Sequence, residues 1–128
     1  MSYYFAKTLA TGFDDAVART TEALKQEGFG VLTEIDVGKV LQQKIGVAFR
    51  DYRILGACNP ALAHEALLLE DKVGTMLPCN VVVQDAGGGR TEVAAIDPVA
   101  SMQAIDNPRL HEAAEKVRAK LRRVIESL

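Results

Sequence analysis

The sequence predicts an α+β fold, a two-layer α/β arrangement in which helices pack on one mixed β-sheet of about five strands. Three observations lead to this class: short apolar or alternating segments typical of strands, segments with helical apolar spacing between them, and two Asn-Pro pairs that mark helix starts. The predicted order is β-α-β-(α)-β-α-β-β-α. A chain of 128 residues, 48% hydrophobic and 25% charged, is expected to form a single domain over residues 1–128.

The first half of the chain begins with an aromatic strand and an amphipathic helix. Residues 3–9 are β-prone, and Thr11 is expected to cap a helix whose apolar positions recur three and four residues apart. Gly28 is placed to end that helix. Residues 29–37 predict a second strand. A short helix of ambiguous pattern and a third strand follow within residues 37–57.

The second half contains two helices and a hairpin. Asn59 is a good N-cap, and the proline after it favours a helix over about residues 61–71. Residues 81–84 and 92–96 flank a glycine-rich turn and are expected to pair as a hairpin. The second Asn-Pro pair begins the last helix, over about residues 108–127. Its apolar stripe is expected to lie across the sheet rather than to form a coiled coil.

The two cysteines, each followed by an asparagine, carry the most suggestive chemistry. Cys58 directly precedes the N-cap Asn59, where the free N–H groups of a helix start stabilise a thiolate and bind anions. Cys79 and Asn80 stand at the start of a strand. Both thiols can also be packing residues, because free cysteine is often buried. If the strands beside them are parallel, roughly 20 Å separates the thiols, whereas antiparallel strands place both at one end of the sheet.

Familiar catalytic and metal-binding signatures do not occur in the sequence. The spacing of Cys58, His64 and Cys79 matches no standard zinc site. The three glycines from Gly87 to Gly89 are not followed by the lysine and helix that a phosphate loop needs. No Gly-x-Ser-x-Gly turn and no dinucleotide fingerprint is present. We therefore expect no catalytic residue, no metal and no cofactor.

Charge and hydropathy restrict the partners and the compartment. A net charge of −2 argues against a strongly electrostatic nucleic-acid or membrane binder. The basic side chains of the last helix are interpreted as a solvated face. The longest apolar runs fall far below the ~20 residues that span a bilayer. The chain does not start with a signal-peptide pattern, and two cysteines make no disulfide framework, so we expect a cytoplasmic protein.

Several motifs together resemble the family called domain of unknown function 302. They are GFGVLTEIDV from Gly28, YRILGACNP from Tyr52, LPCNVVV from Leu77, and Asp97-Pro98 followed by Met102. The matching motif positions are Gly56, Cys58, Asn59, Pro60, Pro78, Cys79 and Asn80. The resemblance covers nearly the whole chain. It implies a small bacterial or archaeal α/β domain that tends to form homodimers. No enzymatic activity is established for the family, so the resemblance assigns none to this chain.

These observations favour a non-catalytic, homodimeric domain that binds a small ligand or serves as an accessory domain. Its candidate site is Cys58, Asn59, Cys79 and Asn80, and its small-molecule or protein partner is not identified. One alternative is a thiol-dependent redox enzyme or sulfur carrier that uses Cys58. A second is a structural or protein-interaction module with both thiols in packing. A weaker third is metal binding by the thiols and His64.

Overall fold

Five strands form one sheet, in the order β1-β5-β4-β3-β2, in the computed structural model, which describes residues 2–128. The strands are β1 (Tyr4–Leu9), β2 (Gly30–Asp36), β3 (Tyr52–Cys58), β4 (Cys79–Gly87) and β5 (Arg90–Ile96). The α+β class with five strands is confirmed, whereas the sheet is antiparallel throughout rather than mixed. Each connection from β2 to β5 returns the chain beside the strand it has just left. The connection from β1 through α1 is the exception within residues 2–128, because it crosses the sheet from one edge strand to the other.

Within residues 2–128, five helices and one 3-10 turn accompany the sheet. They are α1 (Phe13–Gln26), α2 (Val37–Ile45), α3 (Pro60–Leu69), α4 (Pro98–Ser101), α5 (Pro108–Ser127) and the 3-10 turn Val73–Met76. The expected Thr11 cap of α1 is wrong. Gly12 is the N-cap residue, and the Thr11 hydroxyl instead donates to the carboxylate of Asp15. The predicted stop at Gly28 is confirmed, since Gly28 has φ +84° and the next N–H donates to the Leu24 carbonyl.

The two Asn-Pro pairs begin α3 and α5 as predicted. The Oδ1 of Asn59 accepts from the backbone N–H of Leu62 at 3.3 Å. The Oδ1 of Asn107 accepts from Leu110 N at 3.2 Å, and its Nδ2 donates to the carbonyl of Leu69 at 3.2 Å. Asn107 therefore caps α5 and also ties the start of α5 to the end of α3.

The predicted hairpin is formed by β4 and β5. Gly87 pairs with Arg90, so the turn contains only Gly88 and Gly89. Both glycines have positive φ, 61° and 76°. Glycine adopts that left-handed conformation without steric cost, and it suits a two-residue hairpin turn.

The main core lies between one face of the sheet and helices α1 and α5. Its fully buried side chains include Leu24, Leu55, Val81, Val83, Val93, Leu121 and Val124. The apolar stripe of α5 therefore packs on the sheet, as predicted. A second cluster contains Ala66, Val73, Met102, Leu110 and Ala114, which come from α3, the 3-10 turn, the C-cap of α4 and α5.

The opposite face of the sheet has no comparable cover within residues 2–128. We call it the open face; it comprises Tyr4, Tyr52, Asn80, Val82, Gln84, Glu92, Ala94 and Ile96. Within residues 37–45, helix α2 buries no side chain.

Over the described chain, no helix is both long enough and apolar enough to cross a membrane.

Candidate functional site

The relative direction of β3 and β4 determines whether the two cysteines lie at the same end of the sheet. The strands are antiparallel, and Cys79 pairs with Ala57, the residue before Cys58. Of the two arrangements that the sequence left open, the structure has the one that places both cysteines at the same end of the sheet. Both cysteines are free.

Cys58 and Cys79 both line a cavity of about 340 Å³ between this end of the sheet, α3 and α5. The remaining wall is mainly aliphatic and includes Leu62, Ala63, Ala66, Leu110, Ala113, Ala114 and Val117. None of the described residues around the cavity carries a charge, and the amide of Asn59 is its most polar side chain. The cavity therefore favours an apolar occupant over an ionic one.

The two thiols differ in their surroundings. Cys79 is only 7% exposed, whereas Cys58 is half-buried. Burial raises the pKa of the Cys79 thiol to about 11, and the nearby charge of Cys58 adds to the rise. Because the nucleophile is the thiolate, Cys79 is a poor nucleophile at neutral pH.

The two asparagines of the candidate site lie on different sides of the sheet. Asn59 lines the cavity, and its Oδ1 is already used to cap α3. Asn80 is exposed and lies on the open face. Adjacent residues of a strand point to opposite faces, so Asn80 faces away from the cavity that Cys79 lines. The structure therefore groups Cys58, Asn59 and Cys79 and separates Asn80 from them.

Gly56 lets two neighbouring segments approach β3 closely. A Cβ at this position would lie 2.8 Å from Cγ of Pro78 and would collide with the hydroxyl of Thr33. Thr33 belongs to β2, and Pro78 immediately precedes β4. A glycine at position 56 therefore allows Thr33 and Pro78 to pack closely against β3 beside the cavity.

His64 lies apart from the thiols. It is exposed on α3 and faces a shallow groove with Glu65, Arg109 and Glu112. The metal alternative requires His64 beside both cysteines, and the fold does not bring these three side chains together. Within residues 2–128, no three His, Cys, Asp or Glu side chains form a metal-binding group.

Sequence reasoning missed the apolar wall of the cavity. The sequence pattern places Ala114 and Val117 in the apolar stripe of the last helix and Leu32 in a strand, and it gives Ala113 no role, yet all four line the cavity. One signal was present: α3 reads PALAHEALLL and is apolar on several sides, yet only Ala66 is buried. A short helix of that composition is expected to cover an apolar space.

The open face carries a chain of polar contacts among apolar side chains. Arg50 Nε donates to Gln84 Oε1 at 3.0 Å, and Gln84 Nε2 donates to Glu92 Oε1 at 3.2 Å. The Arg50 guanidinium also stacks 4.4 Å from the ring centre of Phe49 and 5.6 Å from that of Tyr52. The opposite charges of Arg50 and Glu92 are thus linked within one chain.

Comparison with known proteins gives one family. The model of the family described as "Domain of unknown function DUF302" matches residues 5–128. A crystal structure of an uncharacterized conserved protein DUF302 from Bacillus stearothermophilus is similar, with a TM-score of 0.90 and 32% sequence identity over 98% of each chain. Among curated proteins, none matches this chain. Neither description names a ligand, a reaction or a partner.

Proposed function

Because this chain belongs to the DUF302 family, whose description assigns no activity, we propose a function from the cavity: a non-catalytic, homodimeric domain that binds a small apolar molecule. The aliphatic cavity between α3 and α5 is the observation that carries this proposal. A cavity of about 150 Å³ with an apolar wall stays dry and holds benzene. At about 340 Å³, this cavity has room for a molecule roughly twice that size.

A binding experiment with a wall substitution tests the proposal. We expect 1-aminonaphthalene to bind with a saturable rise in fluorescence. Ala113→Leu, which fills part of the cavity, should weaken binding about tenfold, whereas Ala119→Leu should leave it unchanged. Both alanines lie on α5, but Ala113 is 2% exposed and lines the cavity, while Ala119 is exposed. Ala63→Leu, at a half-buried wall position, is the second variant if Ala113→Leu does not fold.

Absence of saturable binding to the unsubstituted protein contradicts the proposal. Equal weakening by Ala113→Leu and Ala119→Leu contradicts it too, because the probe would then bind elsewhere. Circular dichroism of each variant separates loss of binding from loss of structure.

The homodimer is proposed through the open face. Antiparallel sheets usually present polar side chains on a solvated face, but Tyr4, Val82, Ala94 and Ile96 are apolar or largely so. A two-fold interface buries the same surface on both copies, so each uncompensated charge in it would be buried twice. The link from Arg50 to Glu92 through Gln84 compensates both charges within the chain. A second copy of this chain therefore fits the face.

Sedimentation velocity tests the dimer. We expect a dimer for the unsubstituted protein and a monomer for Ala94→Asp, which places a charge and its copy in the interface. Ala119→Asp, on the exposed side of α5, should remain dimeric. A monomeric unsubstituted protein at micromolar concentration would contradict this part of the proposal and leave the cavity part intact.

The raised pKa of Cys79 argues against chemistry that uses both thiols at neutral pH. The thiol-dependent alternative then depends on Cys58 alone.

A further inference from the structure

We propose that the cavity ligand is an amphipathic molecule with one apolar chain, which enters tail first between Leu32 and Leu67 and leaves its polar end in water. This inference rests on the proposed function, because it assigns a ligand class and an entrance to the same cavity. The argument uses the exposure of the wall, the bulge in β2 and the chemistry of the interior.

The exposure of the wall residues locates the mouth of the cavity. Leu32 is 67% exposed and Leu67 is 44% exposed, yet both line the cavity. At other points of the wall, Leu110 and Ala113 are buried. Residues that touch both the cavity and bulk water mark its opening. Gly74 of the 3-10 turn is also exposed and lines the cavity, so the opening lies among β2, α3 and this turn, with the aliphatic side chains of Leu32 and Leu67 at its rim.

A β-bulge places Leu32 at this mouth. Val31 pairs with Ala57 and Thr33 pairs with Gly56, so Leu32 has no partner in β3. Val31 packs against the main core, while Leu32 stands at the rim of the cavity. An extra residue in one strand redirects its side chain, and this bulge directs a leucine to the entrance.

Inside the cavity, a charged group of a ligand would find no side chain of opposite charge among those described. None of the described wall residues is charged, and the Oδ1 of Asn59 already accepts from Leu62 N. Burying an ionic or strongly hydrated group without a partner is strongly unfavourable. An apolar chain loses nothing by entering, so the polar end of the ligand stays at the mouth.

Competition between two alkyl ligands tests the orientation. With 1-aminonaphthalene bound, n-octanol and n-octyl glucoside, the latter below its micelle concentration, are titrated as competitors. We expect the two to displace the probe with affinities within about threefold of each other, because the sugar remains outside. Displacement by octanol alone overturns the inference, since the whole molecule would then be enclosed. Displacement by neither also overturns it. Failure of the probe itself to bind counts against the proposed function as well.

Two adjacent leucines provide a matched test of the mouth. Leu67 lines the cavity, whereas Leu68 is 75% exposed and does not contact it. Leu67→Asp should weaken octyl glucoside binding about tenfold, while Leu68→Asp should change it less than about twofold. Equal effects of the two substitutions overturn the inference. If Leu67→Asp does not fold, Leu67→Ala and Leu68→Ala repeat the comparison, with a smaller loss expected only for Leu67.

Discussion

Raising the pH from neutral to about 10 is expected to destabilise this protein through Cys79, and a Cys79→Ala variant isolates the effect. The pKa of the folded thiol is about 11, against an ordinary value of 9.0. Between those values the unfolded chain releases the thiol proton and the folded chain keeps it. The stabilisation is therefore complete below pH 9 and is lost as the pH rises toward 11.

The size of the effect follows from the shift in pKa. One pKa unit corresponds to about 1.4 kcal/mol, so a shift of two units removes about 3 kcal/mol in total. About half of that loss is reached at pH 10, where the unfolded thiol is ionised and the folded thiol is not. We expect the Cys79 contribution to the free energy of unfolding to fall by about 1 to 2 kcal/mol between neutral pH and pH 10.

Urea denaturation of the unsubstituted protein and of Cys79→Ala measures this contribution at a series of pH values. Any other effect of pH on stability is common to both proteins and cancels in the difference. The packing loss caused by Cys79→Ala does not depend on pH. The diagnostic quantity is therefore the slope, against pH, of the difference in the free energy of unfolding between the two proteins. Cys58→Ala is the control, because the charge of Cys58 is the smaller cause of the shift. It should leave most of the slope in place.

If the difference in the free energy of unfolding between the unsubstituted protein and Cys79→Ala does not change up to pH 10, the predicted effect of Cys79 is refuted. Cys79 would then titrate alike in the folded and unfolded chain, and its burial beside the cavity would have no energetic effect. A slope removed equally by Cys58→Ala and Cys79→Ala would mean that charge, rather than burial, dominates the shift.

Three further changes test other parts of the structure. Gly56→Ala should lower the free energy of unfolding by about 2 kcal/mol through overpacking, while Gly30→Ala, whose Cβ would meet no atom within 4 Å, should not lower it; urea denaturation decides. Asn107→Ala should cost about 1 to 2 kcal/mol by the same method, and an unchanged stability would rule out a stabilising cap. Iodoacetamide should alkylate Cys58 in the folded protein and spare Cys79; comparable labelling in peptide mass spectra would contradict the burial of Cys79.

Much of the fold could be predicted from local sequence signals. The helix starts at Asn59 and Asn107, the stop at Gly28 and the glycine turn of the hairpin each depend on the conformation of a few adjacent residues. Strand direction could not be predicted in this way. It depends on where the chain from α3 through the 3-10 turn returns to the sheet, and residues 70–78 carry no pattern that fixes this path. The expectation of a mixed sheet failed for that reason.

The candidate site could be predicted only in part. The resemblance directed attention to Cys58, Asn59 and Cys79, which line one cavity, but also to Asn80, which faces the other side of the sheet. Strand alternation alone could have separated Cys79 from Asn80. The opening of the cavity could not be foreseen, because a bulge at Leu32 becomes visible only when the register of β2 against β3 is known.

The pairing of β1 has a consequence for the order of folding. Strands β2, β3 and β4 each lie beside the next strand in the chain, whereas β1 pairs with the last strand, β5, with Tyr4 opposite Ile96. Bringing distant segments together costs more chain entropy than closing a hairpin, and such contacts slow folding. We expect pulsed hydrogen exchange during refolding to show protection of the β4–β5 hairpin first and of β1 last.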